Sequence, residues 1–460
     1  MLEQRSLDAF LEAVKRLDAG FAGLPAFESK SPGTERIAAA LSTTAERLHD
    51  NYPYFHPLYA GQMLKPPHPV ARLAYALATW INPNNHALDG GRATSAMEKE
   101  AVAEIASMFG WKDFLGHLCG GGTMANLEAL WVASQVHPGK KILASEQGHY
   151  THKRISAVLQ LAFESVRCDA RGRMDMNDLA KRAARGDVGT VVATMGTTAT
   201  GSVDPLPEIL ALREKHGFRV HADAAYGGYF VLAGNLGEEA TGALSRIGES
   251  DSIVIDPHKH GLQPYGCGCV LFRDASAGRF YKHDSPYTYF SSDELHLGEI
   301  SLECSRPGAA AAALWATQKL LPLVRGGEFA RGLQAGREAA LAFYRRLEKD
   351  ERFATAIAPE LDIVIFAPRA KSVTEASGLS RRIFDEAAKR NLHLAVAELP
   401  TDFWGTNLGA MKRDGETMTC LRSVLMKPEH LDWIPRIWDE LSAATSEVLS
   451  AEGASLSARQ

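Results

Sequence analysis

The chain has 460 residues, 45% of them hydrophobic and 23% charged, with a formal net charge of -5. That length exceeds what one hydrophobic core usually serves, so a large domain with smaller appendages is expected. The mild negative charge offers no footprint for nucleic acid or an anionic membrane, which leaves small molecules and other subunits as partners.

The N-terminal stretch MLEQRSLDAFLEAVKRLDAG carries charges throughout and lacks the apolar run of a signal peptide or membrane span, so a cytoplasmic protein is expected. Within it Leu7, Phe10, Leu11, Val14 and Leu17 recur at helical spacing and predict an amphipathic helix with one apolar stripe. Residues 51–85 are rich in Pro, His, Tyr and Asn and read as ordered loops around a helix near Val70 to Trp80. From Phe114 to Arg273, short apolar runs alternate with helical stretches: FLGHLC, KKILAS, ESVRCD, GTVVATMG, RVHADAA, SIVID and GCVLFR. Such a pattern predicts a mostly parallel sheet covered on both faces, with ligand-binding loops at the carboxyl ends of its strands. A helical stretch follows from about Pro307 to Leu347, broken at Gly326-Gly327. The strands LDIVIFAP, NLHLAVAEL and MTCLRSVLM, with helices near Ser380 to Arg390 and His430 to Leu449, then predict a small α+β unit. The tail Ala451 to Gln460 is small and polar and is expected to fray. The expected division is 1–95 as an N-terminal helical and loop segment, 96–320 as the large domain and 321–460 as the small one. Six cysteines are too sparse for a disulfide framework, and Cys267-Gly-Cys269 lacks the spacing of a metal pair, so no metal is expected.

Four segments carry chemistry. In SIVIDPHKHG, Lys259 follows an apolar strand and sits in a turn, where partial desolvation lowers an amine's pKa and suits it to imine formation with an aldehyde. In RVHADAAYGG, Asp223 ends a strand and is followed by small residues; a carboxylate there can keep a pyridine nitrogen protonated, and Ala225 leaves room for a flat ring. In CGGGTMANLEALWVA, a glycine run opens into a helix whose free N–H groups, with the Thr123 hydroxyl, make a phosphate seat. In SEQGHYTHKR, His149 is placed to stack on an aromatic cofactor ring. Each segment alone equally suits an ordinary turn, cap or surface residue.

Taken in order, GGGTMANL, EQGHYTHK, ATMGTTATGSVDPL, HADAAYGG, DPHK, SLECSRPGAAAAALW and LRSVLMKP resemble the group II pyridoxal-5′-phosphate (PLP) decarboxylases, the family of aromatic-amino-acid, glutamate, histidine and tyrosine decarboxylases. The resemblance spans about Asn51 to Pro428. It implies a fold type I PLP-dependent transferase, α/β, with a seven-stranded mostly parallel sheet and a small C-terminal α+β domain. It implies that Lys259 forms the Schiff base, Asp223 pairs with the pyridine nitrogen and His149 stacks on the ring opposite Ala225. Gly122, Thr123 and His258 would hold the phosphate, and either Thr197 or Thr198 would reach Asp223 or the ring's phenolic oxygen. HPLYAGQML resembles a substrate loop and makes Gln62 a carboxylate-binding candidate; Arg422 matches the family's arginine near the substrate carboxylate. An arginine in an apolar strand is also expected to have an anionic partner. The family commonly places a proton-donating tyrosine on a loop, for which HDSPYTYFSSDE offers Tyr287 and Tyr289; protonation of the substrate carbon is expected from a tyrosine or from His149.

The implied reaction is decarboxylation of an L-amino acid to the amine and CO2. Other PLP chemistry on the same scaffold (carbon–carbon lyase, aldehyde synthase or aminotransferase) and a catalytically silent binding protein are the competing readings. The resemblance also implies a homodimer with its site at the interface.

Overall fold

The computed structural model describes residues 3–27, 33–282 and 295–457. Four helices precede the first strand: α1 (Gln4–Ala19), α2 (Thr34–Leu48), α3 (Pro69–Thr79) and α4 (Leu88–Met108). Neither α1 nor α2 contains a buried residue. Helix α3 starts where it does because Pro69, whose missing N–H costs nothing in a first turn, follows His68, whose ring nitrogen accepts the Val70 N–H. Helix α1 meets it only at the edge, where the Phe10 ring stands 5.6 Å from that of Trp80.

The middle of the chain alternates strand and helix: β1 (Leu115–Cys119), α5 (Gly122–Val136), β2 (Lys141–Ser145), α6 (Thr151–Val158), β3 (Phe163–Val166), α7 (Met176–Ala183), β4 (Val188–Thr194), α8 (Leu206–His216), β5 (Arg219–Asp223), α9 (Glu238–Ser245), β6 (Ser252–Ile255) and β7 (Gly268–Phe272). These strands form one seven-stranded sheet in the order β1-β7-β6-β5-β4-β2-β3. Strand β7 runs antiparallel to β1 and β6, and the pairs β6–β5, β5–β4, β4–β2 and β2–β3 are parallel. Every residue of β4, β6 and β7 is buried. This is why these strands read as unbroken apolar runs: helices cover both faces of a parallel sheet. The expected α/β fold with its seven-stranded, mostly parallel sheet is the one observed.

The chain continues through α10 (Gly308–Leu320), α11 (Glu328–Lys349), β8 (Phe353–Thr355), β9 (Ile363–Pro368), α12 (Val373–Lys389), β10 (Ala395–Pro400), β11 (Thr417–Val424) and α13 (His430–Ser457). The helical stretch after Pro307 is thus two helices, parted where Gly326 adopts φ +74°. Strands β10-β11-β9-β8 make a second, antiparallel sheet. Its mainly aliphatic core holds an aromatic cluster: Phe343 lies edge-on to Phe366 at 5.6 Å, and Phe366 to Phe353 at 5.7 Å. Fully burying such a side chain contributes about 1.5–3 kcal/mol. One expectation fails here. The tail was expected to fray from Ala451, whereas α13 continues to Ser457. Among the described residues no helix is long and apolar enough to cross a membrane.

Candidate active site

The loops leaving the carboxyl ends of β1, β2, β4, β5 and β6 line one cavity of ≈610 Å³. Asp223 is the last residue of β5 and Thr194 the last of β4, while His149, the glycine run and Lys259 each lie a few residues beyond β2, β1 and β6. Side chains far apart in sequence therefore converge because parallel strands all end on the same side.

Asp223 is buried, and its carboxylate is held at both oxygens. The His152 Nε2 lies 2.8 Å from Oδ2, and the Ala225 N–H donates to Oδ1 at 3.2 Å. Burial pushes this carboxyl up, but the hydrogen bond and charge of His152, with the charges of Lys259 and His221, outweigh it and hold Asp223 well below the usual carboxylate range. Since the carboxylate is ionised, His152 Nε2 must carry the donated proton.

Lys259 Nζ lies 3.1 Å from Asp256 Oδ2. Asp256 is itself buried, and its Oδ1 has no hydrogen-bond partner. His258 packs against the Tyr265 ring at 4.8 Å, with its Nε2 3.5 Å from Asp256. Burial first, and then Lys259, lower its pKa, opposed by Asp256.

The first turn of α5 lies against Asp256 and His258, with Gly121, Gly122, Thr123 and Met124 all lining the cavity. Its leading N–H groups have no acceptor within the helix. Glycine is required here for space and conformation. Gly121 adopts φ +141°, and a Cβ on Gly122 would come within 2.7 Å of Asp256 Oδ2. The wall thus combines donors with room for a tetrahedral anion.

His149 lies at the cavity mouth, stacked on Tyr150 at 4.5 Å. Its Nδ1 accepts the Thr151 N–H at 3.2 Å, so the ring proton sits on Nε2. Burial lowers its pKa, opposed by the charge of Asp223.

The structure places the two threonines differently. Thr198 lines the cavity, whereas Thr197 is fully buried in the turn, its hydroxyl 2.7 Å from that of Thr200 and accepting the Ser202 N–H. Gln62 and Arg422 meet each other: Arg422 Nη1 donates to Gln62 Oε1 at 3.1 Å. Arg422 also donates to the carbonyls of Ala199 at 3.1 Å, Gly61 at 3.3 Å and Thr198 at 2.7 Å. The anionic partner expected for this buried arginine is replaced by neutral oxygens, and burial pushes its pKa down. Tyr287 and Tyr289 lie outside the described residues. Sequence reasoning assigned nothing to His152, Asp256, Thr194 or Tyr226, of which the last three line the cavity. Only Asp256 had a local signal, as the first residue of DPHK.

The L-tyrosine decarboxylase of Enterococcus faecium is 30% identical over 63% of this chain and 64% of that protein, so the chain spans less than two thirds of that relative. A probable L-tyrosine/L-aspartate decarboxylase of Methanothermobacter thermautotrophicus is 29% identical over 66% of this chain and 82% of that protein. The crystal structure of mouse CSAD shares the fold with a TM-score of 0.77 at 21% identity, covering 96% of this chain and 99% of that one. Residues 123–369, more than half of the chain, match the pyridoxal-dependent decarboxylase conserved domain. The chain belongs to the pyridoxal-dependent decarboxylase family.

Proposed function

We propose that this protein decarboxylates an L-amino acid to the corresponding amine and CO2, using PLP held in the cavity described above. The observation that carries the reading is the convergence on one cavity of a glycine-opened helix start, an ionised buried carboxylate and a lysine amine. The cavity fits the cofactor. The first turn of α5 offers N–H donors where no Cβ could be accommodated, and Thr194 Oγ1, Asp256 Oδ1 and His258 Nδ1 are buried polar atoms left without partners. In this reading Lys259 holds the cofactor covalently, Gly122, Thr123 and His258 take its phosphate, and Asp223 takes its ring nitrogen. His149 and Ala225 take the two ring faces, and Thr198 rather than Thr197 faces the ring edge. When bound, PLP supplies a sink for the electron pair left behind as CO2 departs.

The remaining tasks fall to the protein. Asp223, kept ionised by His152, holds the proton on the ring nitrogen. Arg422, whose guanidinium meets only neutral oxygens among its hydrogen-bond partners, supplies positive charge for the substrate carboxylate, with Gln62 steering it. One proton must be returned to the substrate carbon for each CO2 lost. One of Tyr287, Tyr289 and His149 is the donor we assign to it.

We further infer a cytoplasmic homodimer. Helices α1 and α2 present Leu11, Ile37, Leu41 and Leu48 to solvent, an apolar surface that a second copy would cover, and the described cysteines are all free thiols. The test of the activity is product analysis with each standard L-amino acid. Stoichiometric CO2 and amine support it, whereas keto acid or aldehyde in place of amine overturns it.

A further inference from the structure

A second cavity, of ≈590 Å³, lies between the loop before α3, the loop after β6, the start of α11 and the segment joining β11 to α13. Its walls carry the cations Lys65, Arg72, Arg331 and Lys427 against the carboxylates Glu328 and Glu429. Lys427 is only 3% exposed, yet its ammonium donates to a backbone carbonyl, that of Tyr59, at 2.6 Å. Lys65 likewise donates to the Met426 carbonyl at 3.2 Å. Neither lysine belongs to an ion pair within 4 Å among the described residues. Charging two desolvated amines side by side is costly; Glu429 acts on both and Asp362 on Lys65 only from beyond ion-pair distance, and an anion seated against them would offset that cost. Burial and the neighbouring Lys65 push the Lys427 amine down to about 7, and burial pushes that of Lys65 down to about 8.

We propose that this cavity is a second binding site, for a small oxyanion of the phosphate or dicarboxylate kind, with Lys65 and Lys427 as its principal ligands. The site is separate from the first cavity and does not rest on the decarboxylase reading. The two share a wall: His260 lines the second cavity and its Nε2 lies 2.8 Å from Asp362 Oδ2, while Asp362 Oδ1 accepts from the hydroxyl of Tyr226, which lines the first.

The test is isothermal titration of the PLP-saturated protein, in a buffer free of both anions, with inorganic phosphate in one arm and succinate in the other. Saturable binding of at least one anion is expected. Lys65→Met and Lys427→Met should each weaken it about 10-fold or more, the loss of one charged hydrogen bond. Lys427→Arg should keep it, as should the first-cavity variant Gly122→Ala at the higher PLP concentration that saturates it. If Lys427→Met does not fold by circular dichroism, Lys65→Met and Arg331→Gln decide the matter. No saturable heat in either arm, or binding that the lysine-to-methionine variants leave unchanged, overturns the proposal. Phosphate binding lost in Gly122→Ala but retained in Lys65→Met would place the anion in the first cavity and overturn it equally.

Discussion

Replacing His152 by leucine removes one of the two groups that hold Asp223 while roughly preserving volume. In the native protein Asp223 Oδ2 has His152 at 2.8 Å and Oδ1 has the longer bond from the Ala225 N–H at 3.2 Å. The substitution therefore leaves one oxygen of a carboxylate that is 5% exposed without its donor. A hydrogen bond to a charged group contributes about 1.5–3 kcal/mol. At about 1.36 kcal/mol per pKa unit, the loss raises the Asp223 carboxyl by about 1–2 units. Because the folded-state pKa of Asp223 is depressed, its ionisation stabilises the fold above the ordinary carboxylate value of about 3.9, and that contribution is lost as pH falls through the lowered value. The deficit of His152→Leu is thus full at neutral pH and narrows once the pH drops below the variant's carboxyl pKa. Urea unfolding of the cofactor-free protein at a series of pH values measures it. With cofactor, kcat should fall about 10-fold or more with a smaller change in KM. His152→Gln, which keeps an N–H donor, should recover part of both. Equal stability of His152→Leu and wild type at neutral pH, or a leucine variant no worse than the glutamine one, would refute the role.

Gly122→Ala forces a Cβ to within 2.7 Å of Asp256 Oδ2, and should weaken PLP binding, followed by fluorescence, about 10-fold or more. Arg422→Met should raise KM for the substrate far more than it lowers PLP affinity, and Arg422→Lys should not rescue it, since one ammonium cannot replace a planar fork bonded to Gly61, Thr198, Ala199 and Gln62. Deleting residues 1–20, and with them the exposed face of α1, should weaken dimerisation in analytical ultracentrifugation. A truncated chain still dimeric at nanomolar concentration would contradict the proposed interface.

The central strands of the large sheet were legible because they are buried on both faces and so spell an apolar run, as in Val188–Thr194. Strand β8, three residues long, has too few positions to show a period. Helix α4 was missed because its start carries Gly90-Gly91, with Gly91 at non-helical angles, and its Glu98 turns inward to accept from Asn85 rather than mark a polar face. Lys259, Asp223 and the glycine run were readable as a set, since strand ends signal themselves locally. His152 was not. In THKR it looks like any polar residue at a helix start, and only the folded chain brings it to a carboxylate 71 positions away. Arg422 shows the converse limit: its burial was foreseeable, but not that backbone carbonyls from two distant loops would surround it.

The central claim is that Lys259 holds the cofactor. Reduction of the PLP-loaded protein with borohydride, followed by peptide mapping, tests it most directly. The account predicts a single labelled peptide containing Lys259, lost along with turnover in Lys259→Ala. Label on any other lysine, or undiminished turnover in that variant, would contradict it.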